Sequence, residues 1–556
     1  MSRGCIRLLA LTAVTLFLSA CGGVGGNGTG VGPEIGHNDI APRQPEHLVD
    51  GGELRWPVSS FPDNFNYLHV DGNERGVYEI VAAILPTPVR FAADGSVQPN
   101  PDYVESLELT GRDPQVVTYR LNPRARWSDG TPVTWRDFRS QWLAMRGTDA
   151  AFRIVAANGY ERIGDIARGV DDFEVRMTFT ERFADWKAVF DVLYPQRMTS
   201  DPNLFNVGWK NQVPVTAGPF RVERIDRTAK TVALARDPNW WGERPRLERI
   251  FFRTVPPDAQ VDALANGELD FADIGDDVNA FQRASGLPRV EIRRASAPHI
   301  RQITFNGGRG SVLADQELRL ALQRAIDRRA ITSALVGRID PGARPLGNHI
   351  YGREMRYYRD NSQIVAFDPE AAMQKLDELG WRRDGDVRRK DGRELRIRDV
   401  VPARKPSSEQ EAKLVQQQLG RIGVRVDIVR VPGDDFFDKY VNVGDFDITH
   451  FGWVGTSFPI SSKASIYRVQ DQVRQNYGRI GNETINQLFD AASRELDEQR
   501  AAELANRIDE EIWRSGHSLV TYQRPDVVAV RRGLSNLGAR GFMNPPLYTR
   551  IGYVQG

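Results

Sequence analysis

Tyr119-Arg120-Leu121, then Trp127-Ser128-Asp129-Gly130-Thr131-Pro132-Val133-Thr134, then Asp137-Phe138, reads as a strand, an Asp-Gly turn and a helix entered at Thr134. By itself the stretch specifies a supersecondary unit and no ligand contact. Outward from it, beginning near Gly51, strand-like and helix-like segments alternate between Asp-Gly and Pro turns with no fixed-period repeat. That alternation is the pattern of an α/β or mixed α+β protein.

Asp368, Pro369 and Glu370 supply an N-cap, a first-turn proline and an early acid, Ala372, Leu376 and Leu379 make one apolar face, and Gly380 follows. A helix is expected there. Asp384-Gly385 and Asp391-Gly392 bracket short polar strands, the mark of a hairpin-rich excursion. Leu395 and Ile397 then read as a strand, Ser408 with Glu411 as a capping box, and Val424, Val426 and Ile428 as an alternating strand after Gly423. Strand, helix and strand imply a parallel crossover. Another helix is expected from about Asp315 to Leu335, with Leu318, Leu322, Ala325 and Ile326 on one face. Asn306, Gly307 and Gly308, between it and the strand-like Ile303 to Phe305, are hinge candidates or an ordinary strand-to-helix loop.

The N-terminus has a different character. Arg3 and Arg7 precede an apolar run from Leu8 to Leu18, too short to span a bilayer and suited to a secretory signal. Leu18-Ser19-Ala20-Cys21 followed by Gly22 and Gly23 is a lipobox arrangement, so residues 1–20 are expected to be removed and Cys21 to carry the lipid. Two acyl chains would anchor stably, at roughly 0.8 kcal/mol per buried methylene. The alternatives are an ordinary cleaved signal with an incidental cysteine and a start-helix that is never processed. Cys5, the other of the 2 cysteines, lies inside the signal and leaves Cys21 without a disulfide partner. Residues 21–49 read as the lipidated cysteine and a flexible Gly, Asn and Pro tether with a mean reach of roughly 30 Å. The protein is therefore expected outside the plasma membrane, anchored to its outer face.

The remaining roughly 500 residues can bury a large core and build two or three lobes. With 74 basic and 73 acidic residues, the net charge of +1 gives no reason to invoke nucleic acid. No Gly-x-Ser-x-Gly elbow, His-Glu-x-x-His, Cys-x-x-Cys or phosphate loop occurs. His37, His47, His69, His299, His349, His450 and His517 show no metal-ligand spacing, and Asp276-Asp277 and Asp434-Asp435 lack the spaced oxygens of a calcium loop. No catalytic residue, metal or cofactor is expected.

The opening stretch resembles the signature of ABC-transporter solute-binding protein family 5, the dipeptide and oligopeptide-binding proteins. Further matches follow in the family's order: Gly218-Pro219-Phe220, Asn239-Trp240-Trp241-Gly242 with Pro245, Gly267-Glu268-Leu269-Asp270, Phe305-Asn306, Arg319-Leu320-Ala321-Leu322 with Ala325-Ile326-Asp327, Phe367-Asp368-Pro369-Glu370 with Leu379-Gly380-Trp381, Phe446-Asp447, Gly452-Trp453, and Gly533-Leu534 with Asn536. The likeness is greatest to lipid-anchored mycobacterial and actinobacterial members. It implies an α/β, two-lobed periplasmic-binding-protein fold of the class II, cluster C type. Lobe I would comprise 50–73, 217–303 and 520–556, residues 74–216 would be its inserted subdomain, and 304–519 would form lobe II.

The resemblance also implies function: a monomeric receptor that encloses a peptide between its lobes and delivers it to an ABC permease with a cytoplasmic ATPase. A receptor that accepts many peptides can pair with the backbone, as in strand addition, and leave side chains in hydrated pockets. The family pattern places such contacts at Ser59, Ser60, Phe61 and Pro62, at Asn306, and at Gly452, Trp453, Val454, Gly455 and Thr456. Trp453 would be an apolar wall or a core residue. Oligopeptide-binding members place an aspartate where this chain has Thr456, to pair with the peptide α-ammonium. Threonine cannot neutralise that charge. Asp447 or Asp435 would take over, or the ligand lacks a free α-ammonium, as in N-blocked, cyclic or sugar-linked peptides. Receptors for nickel chelates, haem, glycopeptides or signalling peptides remain alternatives, as does a surface-anchored hydrolase.

Overall fold

The structure, a computed structural model, describes residues 35–470 and 473–555. The signal 1–20, Cys21 and the first part of the expected tether lie outside the described residues. Strand β1 (Glu53–Val58) buries Leu54, Trp56, Pro57 and Val58. Helix α1 (Arg75–Ile84) is buried from Val77 to Ile84 and can be so because its one internal acid, Glu79, accepts from Trp56 Nε1 at 3.0 Å and from Arg540 at 3.2 Å.

The opening stretch folds as read. Strands β2 (Val104–Arg112) and β3 (Gln115–Leu121) lead to the Asp129-Gly130 turn, where Gly130 takes φ +87° and Trp127 N–H bonds Thr131 O at 2.8 Å. Thr134 and Asp137 form a capping box on α2 (Trp135–Met145). With β4 (Ile163–Arg168) and β5 (Glu174–Phe179) these strands make an antiparallel sheet in the order β2-β3-β5-β4. The chain then returns through β6 (Phe220–Asp226), β7 (Thr231–Arg236) and β8 (Arg249–Thr254), which join β1 as β1-β8-β7-β6.

Strand β9 (Phe271–Asp273) and the 16-residue β10 (Val290–Phe305) enter a six-stranded sheet. The helix expected over 315–335 is two helices, α3 (Gln316–Arg324) and α4 (Arg328–Val336). Asp327 breaks it: its side chain caps Ala330 N–H, restarting the helix on a new axis while the apolar spacing runs on. Helix α5 (Pro369–Glu378) is capped by Asp368, and residues 382–394 form the expected hairpins. Strand β11 (Arg396–Pro402), α6 (Pro406–Arg421) and β12 (Arg425–Val431) make the parallel crossover. Its capping box is absent, because Lys405 is the N-cap and Ser408 and Glu411 point into the protein. Strand β13 (Ile448–Trp453), α7 (Pro459–Tyr467), α8 (Glu498–Ser515) and β14 (Ser518–Arg531) complete the sheet, ordered β9-β14-β10-β13-β11-β12.

Strands β10 and β14 run through both lobes. Ala295 and Val528 belong to the core under β1 and α1, whereas Ile300 and Tyr522 belong to the core under α3 to α6. The change falls where the β10–β14 register slips between Ser296 and Ile300, earlier than the expected boundary at 303. The Asn306–Gly308 hinge candidate lies within the second lobe, its amides bonded to Asp447 O and Gly478 O. The tether reading fails over 35–49. Asp39 pairs with Ala539, Leu48 with Val554 and Ser296 N–H with Gly36 O, so this segment is strapped to the body.

Candidate ligand-binding cleft

On the first lobe, β1 is an edge strand whose last ladder contact is Val255 N–H to Val58 O, 2.9 Å. Ser59 and Ser60 are exposed, the Phe61 ring lies under Arg227 at 5.6 Å, and Pro62 is buried. No backbone hydrogen bond is made by residues 59–62 to other backbone among the described residues. The Ser60 hydroxyl donates to Glu74 at the entry to α1.

On the second lobe, β13 pairs with β10 as far as Trp453, opposite Ile300, while β11 accompanies it only to Thr449. Beyond Thr449 one edge of β13 carries no strand. Gly455 is required where it stands, since a Cβ there would lie 2.0 Å from Pro298 O. The close approach lets Gly455 N–H donate to His299 Nδ1 at 3.2 Å. Trp453 stacks on Tyr477 with centroids 5.8 Å apart and planes 10° apart, and packs edge-on to Phe451. It also touches the second-lobe cores, so it is wall and core packing together. Val454 is 72% exposed.

Charged side chains lie near both rims. Arg75 at the start of α1 pairs with Asp273 of β9 at 2.7 Å and with Glu79 at 3.2 Å, and these carboxylates push its guanidinium above the usual range while 64% of its side chain stays exposed. Arg524 of β14 pairs with Asp276 at 3.1 Å; burial pushes Asp276 up, but Arg524 and Arg301 outweigh it and hold the carboxyl at about 2. Burial, helped by the charges of Arg524, Arg75 and Lys463, holds His299 at about 3, a neutral ring. The charge of Arg75, next in sequence to the Glu74 that the Ser60 hydroxyl bonds, is thus felt at His299, which holds the Gly455 amide.

Behind the Gly452 segment lies a buried run of charge that the sequence reading missed. Arg301 pairs with Glu411 at 2.8 Å and donates to Ser408 Oγ, and His450 pairs with Asp399 at 2.8 Å and stands 3.4 Å from Glu411. Burial alone would lower His450, but Asp399 and Glu411 raise it to about 9; burial raises Asp399, and at Glu411 the attraction of Arg301 and His450 exceeds burial and lowers it. The available signal was polar residues among apolar neighbours in β10, β11 and β13.

Asn306, expected at the ligand, has both amide protons committed to Gly444 O and Phe446 O and its carbonyl to Gly308 N–H. It shapes a second-lobe loop. The Thr456 hydroxyl accepts from Phe458 N–H at 3.1 Å. Neither substitute acid is beside it: Asp447 precedes β13 at its opposite end and accepts from Arg398 N–H, and Asp435 pairs with Lys439 at 3.0 Å. Glu354, unforeseen, accepts from Gln523, which is in register with Ile300 and through it Trp453, and has no cationic partner among the described residues.

The lobes touch across the cleft. Ser461 N–H in α7 donates to Asp185 of the β5-to-β6 connection at 3.1 Å, Ala184 N–H to Ser493 O at 2.8 Å, Arg494 meets Glu181, and Phe458 meets Phe91 edge-on at 6.0 Å. A groove of about 490 Å³ on α2, lined by Trp135, Arg139, Leu143 and Arg146, contains none of the expected contact residues. Among the described residues no group of three His, Cys, Asp or Glu side chains is arranged to hold a metal, and no helix is long and apolar enough to cross a membrane.

The family profile described as bacterial extracellular solute-binding proteins, family 5 Middle, matches residues 98–473. The chain belongs to family 5 of the bacterial extracellular solute-binding proteins. Within family 5 it is 43% identical over 523 residues to the oligopeptide-binding protein OppA of Mycobacterium tuberculosis H37Rv, covering 93% of this chain and 87% of that one. Among solved structures it is similar to the periplasmic EDTA-binding protein EppA, with TM-score 0.84, 25% identity, and coverage of 94% of this chain and 100% of that one. The oligopeptide-binding protein AppA of Bacillus subtilis, in complex with a nonapeptide, shares the fold with TM-score 0.72 and 18% identity, covering 91% of this chain and 100% of that one. The two-lobed α/β fold is that of family 5 receptors.

Proposed function

We propose that this family 5 protein is the solute-receiving component of an ABC importer and that it captures peptides between its lobes. The observation that carries this reading is the strandless edge of β13 past Thr449, with the unpaired backbone of Ser59–Pro62 on the first lobe; in this reading the two face one another across the cleft. An extended peptide laid between them adds as a strand, and its repeating backbone satisfies both rims whatever its side chains. The names of OppA and AppA support peptide as the solute.

Ser59, Ser60, Phe61, Pro62, Gly452, Trp453, Val454, Gly455 and Thr456 contact the ligand in this reading, and Asn306 acts by holding the second-lobe loop. The first lobe takes 50–73, 217–303 and 520–556, with the crossing drawn back to 296–300 and 523–526, the inserted subdomain takes 74–216, and the second lobe 304–519. The closed monomer docks on a permease driven by a cytoplasmic ATPase and hydrolyses nothing itself. A lipid on Cys21 keeps it at the outer face of the membrane.

Calorimetry and mass spectrometry of the purified protein with a peptide mixture test the reading together. Binding with peptides recovered intact is expected. Turnover would make it a hydrolase, and no binding of any peptide would remove the peptide assignment. A second reading, a polycarboxylate or its chelate, is favoured by the cation-rich floor around His299 and by the likeness to EppA. Titration with EDTA separates it.

A further inference from the structure

The β5-to-β6 connection contains an apolar run with one charge in it. Of Val189-Phe190-Asp191-Val192-Leu193-Tyr194, all but Asp191 are at most 1% exposed, and Asp191 alone keeps part of its surface open. Its carboxylate accepts from the Tyr78 hydroxyl at 3.0 Å, and no Arg, Lys or His among the described residues pairs with it. A carboxylate set in an apolar wall ordinarily has a cation beside it. Burial raises this one to about 6, against the Tyr78 bond, which lowers it, so it is still mainly ionised at neutral pH. The backbone is bent to present it. Phe190 has φ +61°, a region that bulky residues avoid. It is held there by its ring, packed on Phe138 at 4.8 Å and Tyr160 at 5.1 Å, and by the Tyr160 hydroxyl, which accepts from Phe190 N–H at 3.0 Å.

Direct contacts place the Asp191 carboxylate at the cleft. Tyr78 lies one turn along α1 from Glu74, its N–H bonded to Glu74 O at 3.0 Å, and the Glu74 carboxylate accepts from the Ser60 hydroxyl at the rim. The Tyr78 ring packs on the half-buried Tyr67 with centroids 5.0 Å apart, and Asn73 Nδ2 donates to Tyr67 O at 3.1 Å. On the other flank Asp185, earlier in the same connection, accepts from Ser461 N–H of the second lobe. Asp191 therefore stands between the Ser60 rim and a point where the lobes touch. The neighbouring acids are answered or exposed to water: Asp273 by Arg75, Glu79 by Arg75 and Arg540, Asp185 by the Ser461 amide, and Glu74 by solvent and Ser60.

We propose that Asp191, with one oxygen fixed by Tyr78, forms a subsite that receives a primary ammonium carried on a side chain of the bound solute. The inference rests on the reading that solute enters this cleft, and it adds the charge that a preferred solute carries. Tyr78 engages Oδ1 and leaves Oδ2 for the ligand. A compact ammonium needs one such acceptor, whereas a guanidinium binds best as a fork across both oxygens. The Tyr67 and Tyr78 rings offer apolar surface to the methylene stem behind the ammonium. In the strand-addition reading the peptide α-ammonium lies by Thr456 on the second lobe, so a side chain supplies the cation here.

The test is calorimetry on the wild type, Asp191→Asn and Tyr78→Phe. The probes are acetylated alanine tripeptide amides with one lysine at the first, second or third position, the same peptides with norleucine in its place, Ala-Ala-Ala amide with and without an acetyl group, and spermidine. For at least one position the wild type should prefer lysine over norleucine by roughly tenfold or more. Asp191→Asn, which keeps an acceptor for Tyr78 and loses the charge, should remove that preference, and Tyr78→Phe should reduce it. A wild type that binds the peptides without regard to lysine, or an Asp191→Asn protein that keeps the preference, overturns the subsite and leaves the peptide reading intact. If Asp191→Asn does not fold, an undiminished preference in Tyr78→Phe overturns it. If Asp191→Asn erases only a preference for free over acetylated Ala-Ala-Ala amide, the occupant is the α-ammonium and the side-chain proposal is overturned. If no peptide binds but spermidine does, and Asp191→Asn weakens it, the peptide reading fails while the ammonium subsite stands. If none of the probes binds the wild type, the subsite is wrong.

Discussion

Thr456 puts a hydroxyl, already accepting from Phe458 N–H, where oligopeptide-binding relatives implied a carboxylate. The expected consequence is tolerance of a blocked N-terminus. Calorimetry of a peptide and its N-acetylated form should differ by less than about threefold for the wild type, and Thr456→Asp should widen the gap to roughly tenfold as a charge-assisted pair becomes available. An equally large loss on acetylation in the wild type would refute it, and Glu354 would then be the acid to mutate. Gly455→Ala puts a methyl against Pro298 O and detaches the loop from His299; a loss of about 1–3 kcal/mol in chemical denaturation and a fall in peptide affinity are expected. At this scale the sequence was partly legible. Gly452-Trp453 marks the end of β13, where the strand loses its neighbour, and Gly455 shows how a glycine required by close backbone approach leaves its letter behind. Asn306 misled, since a Phe-Asn pair does not say whether the amide faces a ligand or, as here, three backbone groups.

The elements show why spacing alone falls short. A continuous apolar face hid the break between α3 and α4, because a capping aspartate costs no hydrophobic position. Ser408 and Glu411 have capping-box spacing, yet Pro406 starts the helix earlier and turns both toward Arg301 and His450, partners more than a hundred and about forty residues away. Charges that pair across β10, β13, β11 and α6 are invisible to any local pattern. Their consequence is a pH dependence. His450 has its pKa raised from the unfolded value near 6.5 to about 9, so its contribution is fully present below about 6.5 and is lost as pH rises through about 9. Thermal denaturation should therefore show falling stability from pH 6.5 to 9, by roughly 1–3 kcal/mol, and His450→Gln should flatten the profile. A wild type with constant stability over that range would refute the ionised network.

As a whole molecule, the chain was most legible in its architecture and least in its attachments. Alternation of strand and helix and the crossover around α6 follow from local periodicity, whereas the strap of residues 35–49 does not, because Gly- and Pro-rich chain reads the same whether it hangs free or lies against Ala539 and Val554. Closure should be visible as compaction in solution scattering when a tight ligand is added; unchanged dimensions with a verified ligand would end the two-lobe mechanism. Asp185→Ala removes the acceptor for Ser461 N–H and should lower ligand affinity roughly fivefold, about 1 kcal/mol, with the unfolding midpoint little changed. An unaltered affinity would show that this contact does not bias closure. The strap also sets a frame of reference. The strap is tied to the first lobe at Asp39 and Leu48, beside the C-terminal segment, and among the described residues it makes no bridge of that kind to the second. With the proposed anchor on Cys21, the protein would work as a jaw whose first lobe is the tied member and whose half bearing β13 and α7 is the one left to swing.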